Sequence, residues 1–108
     1  MKELLSAVSK LADEELNRSY EKFPKFNSPH EGYAVILEEV DELKEEIFGH
    51  DKIDGSMKWF WNNIKHNSKY RQESINELKD AALHAAAEAI QVAAMAQKYL
   101  DSLGGDGL

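Results

Sequence analysis

Two carboxylate pairs, each spaced three residues apart, are the residues in this 108-residue sequence with the clearest capacity for chemistry: Glu39 and Glu42 in "EEVDEL", and Glu77 and Asp80 in "ELKD". Residues three apart share one face of a helix, so each pair would present two oxygen ligands on the same side. Hard divalent cations are held in this way, by carboxylates on neighbouring helices whose backbones packing keeps rigid. The first pair sits in "ILEEVDELKEEI", six carboxylates and one lysine among five aliphatic side chains. On a helical wheel Ile36, Val40, Leu43 and Ile47 fall within an arc of roughly 60°, with Tyr33 and Leu37 widening it, and this arc is the expected core face. Glu39, Glu42 and Glu46 flank that arc, whereas Glu38, Asp41 and Glu45 point into water.

The second pair opens a polar stripe on an alanine-rich segment. Glu77, Asp80, His84, Glu88 and Gln91 project within roughly 80° of one another. An ordinary solvated side would look the same, with Glu77 closing a capping box begun by Ser74. His84, one turn beyond Asp80, and Glu88 and Glu46 are candidates for supporting a metal ligand from just outside the site.

A third feature is "KWFWNNIKHNSKYR", residues 58–71, which holds four basic residues and no acid in a chain of net charge -7. Trp59 offers a surface on which a nucleobase would stack, and Lys65, Lys69 and Arg71 would hold phosphates. Phe60, Trp61 and Ile64 align as core.

The elements that must position these groups are all helices. Leu4, Leu5, Val8, Leu11, Ala12 and Leu16 recur at three- and four-residue intervals and predict a first helix over about residues 3–21. Ser28, Pro29 and Glu31 form an N-terminal signature, so the second helix runs from Pro29 to Phe48, with Gly49 as its C-cap. "HDKIDGS" reads as a loop, a short third helix is centred on Met57 to Ile64, and a fourth begins between Ser68 and Ser74 and reaches Leu100. The expected organisation is one domain over 1–108: helix and loop over 1–28, candidate metal-binding helices with an insert over 29–100, and a flexible tail over 101–108. With no cysteine, neither disulfides nor thiolate metal sites are available. Acidity disfavours nucleic acid, no hydrophobic run suits a membrane, and the charge-broken N-terminus does not read as a signal peptide, so a cytoplasmic location is expected.

The two acidic pairs, their order, and the small-residue helix after the second are similar to the all-α nucleoside triphosphate pyrophosphohydrolase superfamily, the MazG-like and dimeric dUTPase-like proteins, over residues 29 to 100. The resemblance implies a four-helix bundle in which Glu39, Glu42, Glu77 and Asp80 bind Mg2+, or Mn2+ in its place, and serve catalysis. It also implies cleavage of a nucleoside triphosphate to monophosphate and pyrophosphate. Here the 34 residues between Glu42 and Glu77 exceed the usual separation, so base preference does not carry over. The fourth helix is apolar around about 240°, more than three short neighbours cover, which predicts a homodimer or homotetramer. The alternative is a non-catalytic helical adaptor with an acidic surface. A di-iron bundle is disfavoured, because neither His30 nor His84 has a glutamate three residues ahead.

Overall fold

The computed structural model describes residues 1–104, and they are all-helical: α1 (Lys2–Lys22), α2 (Pro29–Phe48), α3 (Ile53–Lys65) and α4 (Arg71–Ser102). The chain forms two compact units, Met1–Val40 with the chain from Ala89 on, and Asp41–Glu88. Helices α2 and α4 each contribute to both.

Local chemistry sets the helix ends. Phe23, which stands before Pro24, turns extended at φ −142° and ends α1, as the clash with a following proline ring requires. Ser28 Oγ accepts the Glu31 N–H at 3.1 Å and caps α2, while the Glu31 carboxylate reaches past Ser28 to the Asn27 backbone and side-chain amides at 3.4 and 3.3 Å. Gly49 follows α2, as expected, but without the left-handed conformation of a glycine cap; among the described residues only Asn67 and Gly104 have positive φ. Asn67 instead closes α3, where its N–H bonds to the Ile64 carbonyl and the Ser68 N–H to that of Asn63.

Two boundaries differ from the sequence reading. Helix α3 begins at Ile53, four residues before Met57, because Gly55 is a helical residue and not a turn. A Cβ there would lie 1.7 Å from the His50 carbonyl oxygen, so glycine is what lets the preceding loop pack against the first turn of α3. At the other end α4 continues to Ser102, two residues into the expected tail. Residues 105–108, the rest of that tail, lie outside the described residues.

The first unit has a compact core of Leu16, Phe26, Ala94 and Met95, with Tyr20, Val35, Ile36 and Tyr99 packed against it. Burial of side chains of this size contributes about 1.5–3 kcal/mol each. Tyr33 and Leu37, expected to widen the core face of α2, are exposed, as are Leu4, Leu5 and Leu11 of α1. Within this core Lys98 is 2% exposed. Its Nζ donates to Ser19 Oγ at 2.8 Å and lies 5.6, 5.9 and 5.3 Å from the ring centres of Tyr20, Phe23 and Phe26. Burial pushes its ammonium pKa down, with the Glu31 charge opposing, and the aromatic faces supply the electrostatic compensation. Beside it the Tyr20 hydroxyl donates to Asp101 at 2.8 Å; burial, then that hydrogen bond and charge, push the phenol up to about 12.

The second unit is built differently. Its buried residues are small or polar: Ser56, Asn63, Ser74, Ala81 and Ala85. Asn63 donates to the Trp59 carbonyl at 3.0 Å, and Ser74 to that of Arg71 at 2.9 Å, so Ser74 is not the N-cap of a box with Glu77. Trp61 and Ile64, expected in the core, are 57% and 43% exposed.

Candidate functional site

Helix α2 displays its inner acids at successive turns. Glu39 brings a carboxylate oxygen within 4.8 Å of one from Glu42, the proximity that i, i+3 spacing imposes, and Glu46 follows one turn later. From α4, within the second unit, Glu88 brings an oxygen within 4.8 Å of Glu42. Glu88 is half-buried and its Oε2 is buried without a hydrogen-bond partner. Burial, then the charge of Glu42 and a shared hydrogen bond with it, then the charge of Glu46, raise the Glu88 pKa above the usual carboxylate range. A cation, Lys52, places its Nζ 3.4 Å from Glu46 Oε2 in an ion pair that leaves this oxygen, also buried, without a hydrogen bond.

The second expected pair lies elsewhere. Among the described residues no group of three acidic or histidine side chains within 4.8 Å includes Glu77 or Asp80. The reason is register. Within the second unit, moving nine residues forward from Glu42 to Asp51 moves the neighbour on α4 back eleven, from Glu88 to Glu77, as antiparallel packing dictates. Glu77 therefore lines a cavity with the loop before α3, and Asp80 is exposed. His84 is also exposed and donates from Nδ1 to the Asp80 carbonyl at 2.8 Å, a bond internal to its helix. Glu88, expected only as an outer support, is the residue that meets Glu42. An acid isolated among alanines from Ala81 to Ala94 was its signal in the sequence.

The basic aromatic segment divides as well. Lys69 and Arg71 line an open groove of about 490 Å³ with Phe60, Gln72 and Ile75. Arg71 Nε donates to the Ser68 carbonyl at 3.0 Å and Lys69 Nζ lies 5.2 Å from the centre of the Tyr70 ring. Lys65 is exposed in the last turn of α3. Trp59 belongs to the separate cavity of about 380 Å³ that contains Glu77.

Chemically, the Glu42–Glu88 approach fits a hard cation. All of its donors are carboxylate oxygens and one is an orphaned buried atom. No helix among the described residues is long and apolar enough to cross a membrane. No protein-family model matches the chain, and no curated protein or solved structure matches it either.

Proposed function

We propose that the protein is a magnesium-dependent nucleotide pyrophosphohydrolase, an all-α four-helix protein of MazG-like type completed by self-association. The observation that carries the reading is the Glu42–Glu88 approach, with a buried, unpartnered Glu88 oxygen and a proton affinity raised by burial and by Glu42. Mutual repulsion of this kind costs stability unless a cation is bound, which supports the reading of a cation site. Glu42 and Glu88, with Glu39 one turn earlier on α2, would hold the ion. Bound magnesium, with manganese as a substitute, supplies charge that offsets a triphosphate and polarises its phosphoryl oxygens. One carboxylate of the cluster that does not hold the ion, such as Glu46, would accept a proton from the attacking water. Lys69 and Arg71, which share one groove, would take the phosphate charge left over. Cleavage between the α- and β-phosphates, giving a monophosphate and pyrophosphate, follows from the family resemblance.

The exposed apolar side chains of the second unit, Met57, Trp61 and Ile64 among them, support self-association. They equally favour the competing reading of a non-catalytic assembly protein, for which the inner acids are dispensable. The two readings separate in a panel of nucleoside triphosphates assayed for pyrophosphate release with and without magnesium. Glu42→Gln and Glu88→Gln are expected to abolish release, while Glu38→Gln and Glu45→Gln, on the solvated side, leave it intact. Absence of release from every nucleotide, or equal loss in inner and outer variants, removes the enzyme reading.

A further inference from the structure

The cavity of about 380 Å³ within the second unit, lined by His50, Asp51, Gly55, Ser56, Trp59 and Glu77, is unsuited to phosphate. Its acidic side chains, Asp51 and Glu77, are carboxylates, which repel phosphate and only accept hydrogen bonds. Its volume is in the range of small-molecule sites, about 300–1,000 Å³. Three features mark it as a built site. Ser56 is 2% exposed and its hydroxyl has no hydrogen-bond partner, a deficit worth about 1–3 kcal/mol in a protein interior. Trp59 contributes an indole ring to the lining. The backbone of the wall is fixed by the close approach of Gly55 to the His50 carbonyl.

A ligand that satisfies this lining must be planar enough to stack on an indole, must donate hydrogen bonds to carboxylates, and must carry a group that pairs with a serine hydroxyl. We infer that the cavity binds an amino-bearing heterocycle, a nucleobase of the cytosine, adenine or guanine type. Its exocyclic amino group donates to Asp51 or Glu77, and a ring nitrogen or carbonyl accepts from Ser56. Uracil and thymine present a carbonyl where cytosine has its amino group, and an acceptor placed against a carboxylate acceptor is repelled. The identification of the heterocycle as a nucleobase rests on the proposed function; the demand for an N–H donor does not. Glu77 and Glu88 lie eleven residues apart on α4, roughly 16 Å along the helix. This is the scale of a nucleoside triphosphate extended from base to terminal phosphate.

The test uses the full chain with free nucleosides, without metal or phosphate, so that it is independent of hydrolysis. Binding is read by calorimetry and by quenching of Trp59 in a Trp61→Phe background. Cytidine is expected to bind at least tenfold more tightly than uridine. Ser56→Ala should weaken cytidine about tenfold without lowering the melting temperature, and Trp59→Leu should remove binding. Equal affinity for cytidine and uridine, no binding of any nucleoside at millimolar concentration, or equal binding of an aliphatic diamine overturns the inference. Cytidine selectivity without pyrophosphate release in any assay leaves the cavity standing and removes the hydrolase reading. Hydrolysis indifferent to the base does the reverse.

Discussion

Replacing Glu88 with glutamine should stabilise the metal-free protein, an unusual outcome for a half-buried polar residue. In the wild type two carboxylate oxygens of Glu42 and Glu88 lie within 4.8 Å of each other. Two full charges at that separation repel by about 3.5 kcal/mol at an effective dielectric of ~20 and by about 0.9 kcal/mol in water. Glu42 is exposed and Glu88 half-buried, so the cost lies between these limits, about 1–3 kcal/mol. The glutamine amide keeps the shape, removes one charge and donates to Glu42. At about 4 °C per kcal/mol the variant should melt roughly 4–12 °C above the parent at pH 7.5 in chelator. The sign with pH follows from the raised Glu88 pKa: the folded state holds the proton more tightly than the unfolded one. The Glu88 contribution to stability is therefore greatest at low pH and is lost as pH rises from the unfolded carboxylate value through the raised folded one. The advantage of the variant should shrink toward zero near pH 4. Millimolar magnesium should raise the melting temperature of the parent and not of Glu88→Gln. Calorimetric or circular-dichroism melts across pH 4–8 decide the matter. A variant that melts at or below the parent at pH 7.5, or an offset that does not change with pH, refutes the repulsion on which the site rests.

Other outcomes follow from single contacts. Gly55→Ala, which in an exposed helix would stabilise by about 1 kcal/mol, should instead lower the melting temperature, because its Cβ meets the His50 carbonyl, and should weaken nucleoside binding in the same titration. Tyr20→Phe should cost about 1 kcal/mol at neutral pH. In the parent, the contribution of the raised phenol is fully present below pH 10 and lost as pH rises through about 12, so alkaline denaturation of parent and variant should converge there, with Tyr20 titrating near pH 12 by absorbance. Lys69→Ala and Arg71→Ala should raise the KM for nucleoside triphosphate while leaving free nucleoside binding unchanged, since their groove excludes Trp59. Sedimentation equilibrium should find species heavier than the 12.3 kDa chain, and Trp61→Glu should shift them toward monomer.

Helix existence and the α2 limits were legible from local chemistry: the Ser28–Pro29–Glu31 signature and the proline after Phe23 act within a few residues. So was the set of acids at the edge of the α2 core face. What one sequence did not reveal was which residue of α4 faces which residue of α2. With the helices flush at the connection between them, Glu42, six residues before the end of α2, would meet Glu77, six residues after the start of α4. Helix α3 and its preceding loop occupy the first turns of α4 instead and displace the pairing by eleven residues, to Glu88. That displacement depends on Gly55, which reads as a turn residue in isolation and is required by a contact with the loop before it. The exposure of Trp61 and Ile64 was hidden for a related reason, because periodicity identifies an apolar face without identifying what covers it.

The buried lysine in the first unit gives the molecule an intrinsic clock. Amine-acylating reagents attack the neutral, accessible form of a lysine; ten of the eleven lysines are exposed or half-exposed, and Lys98 is sealed behind Tyr20, Phe23 and Phe26. Acylation of Lys98 therefore waits on the opening of that aromatic enclosure. Its rate against the prompt labelling of the others measures how often the α1–α4 core breathes under native conditions.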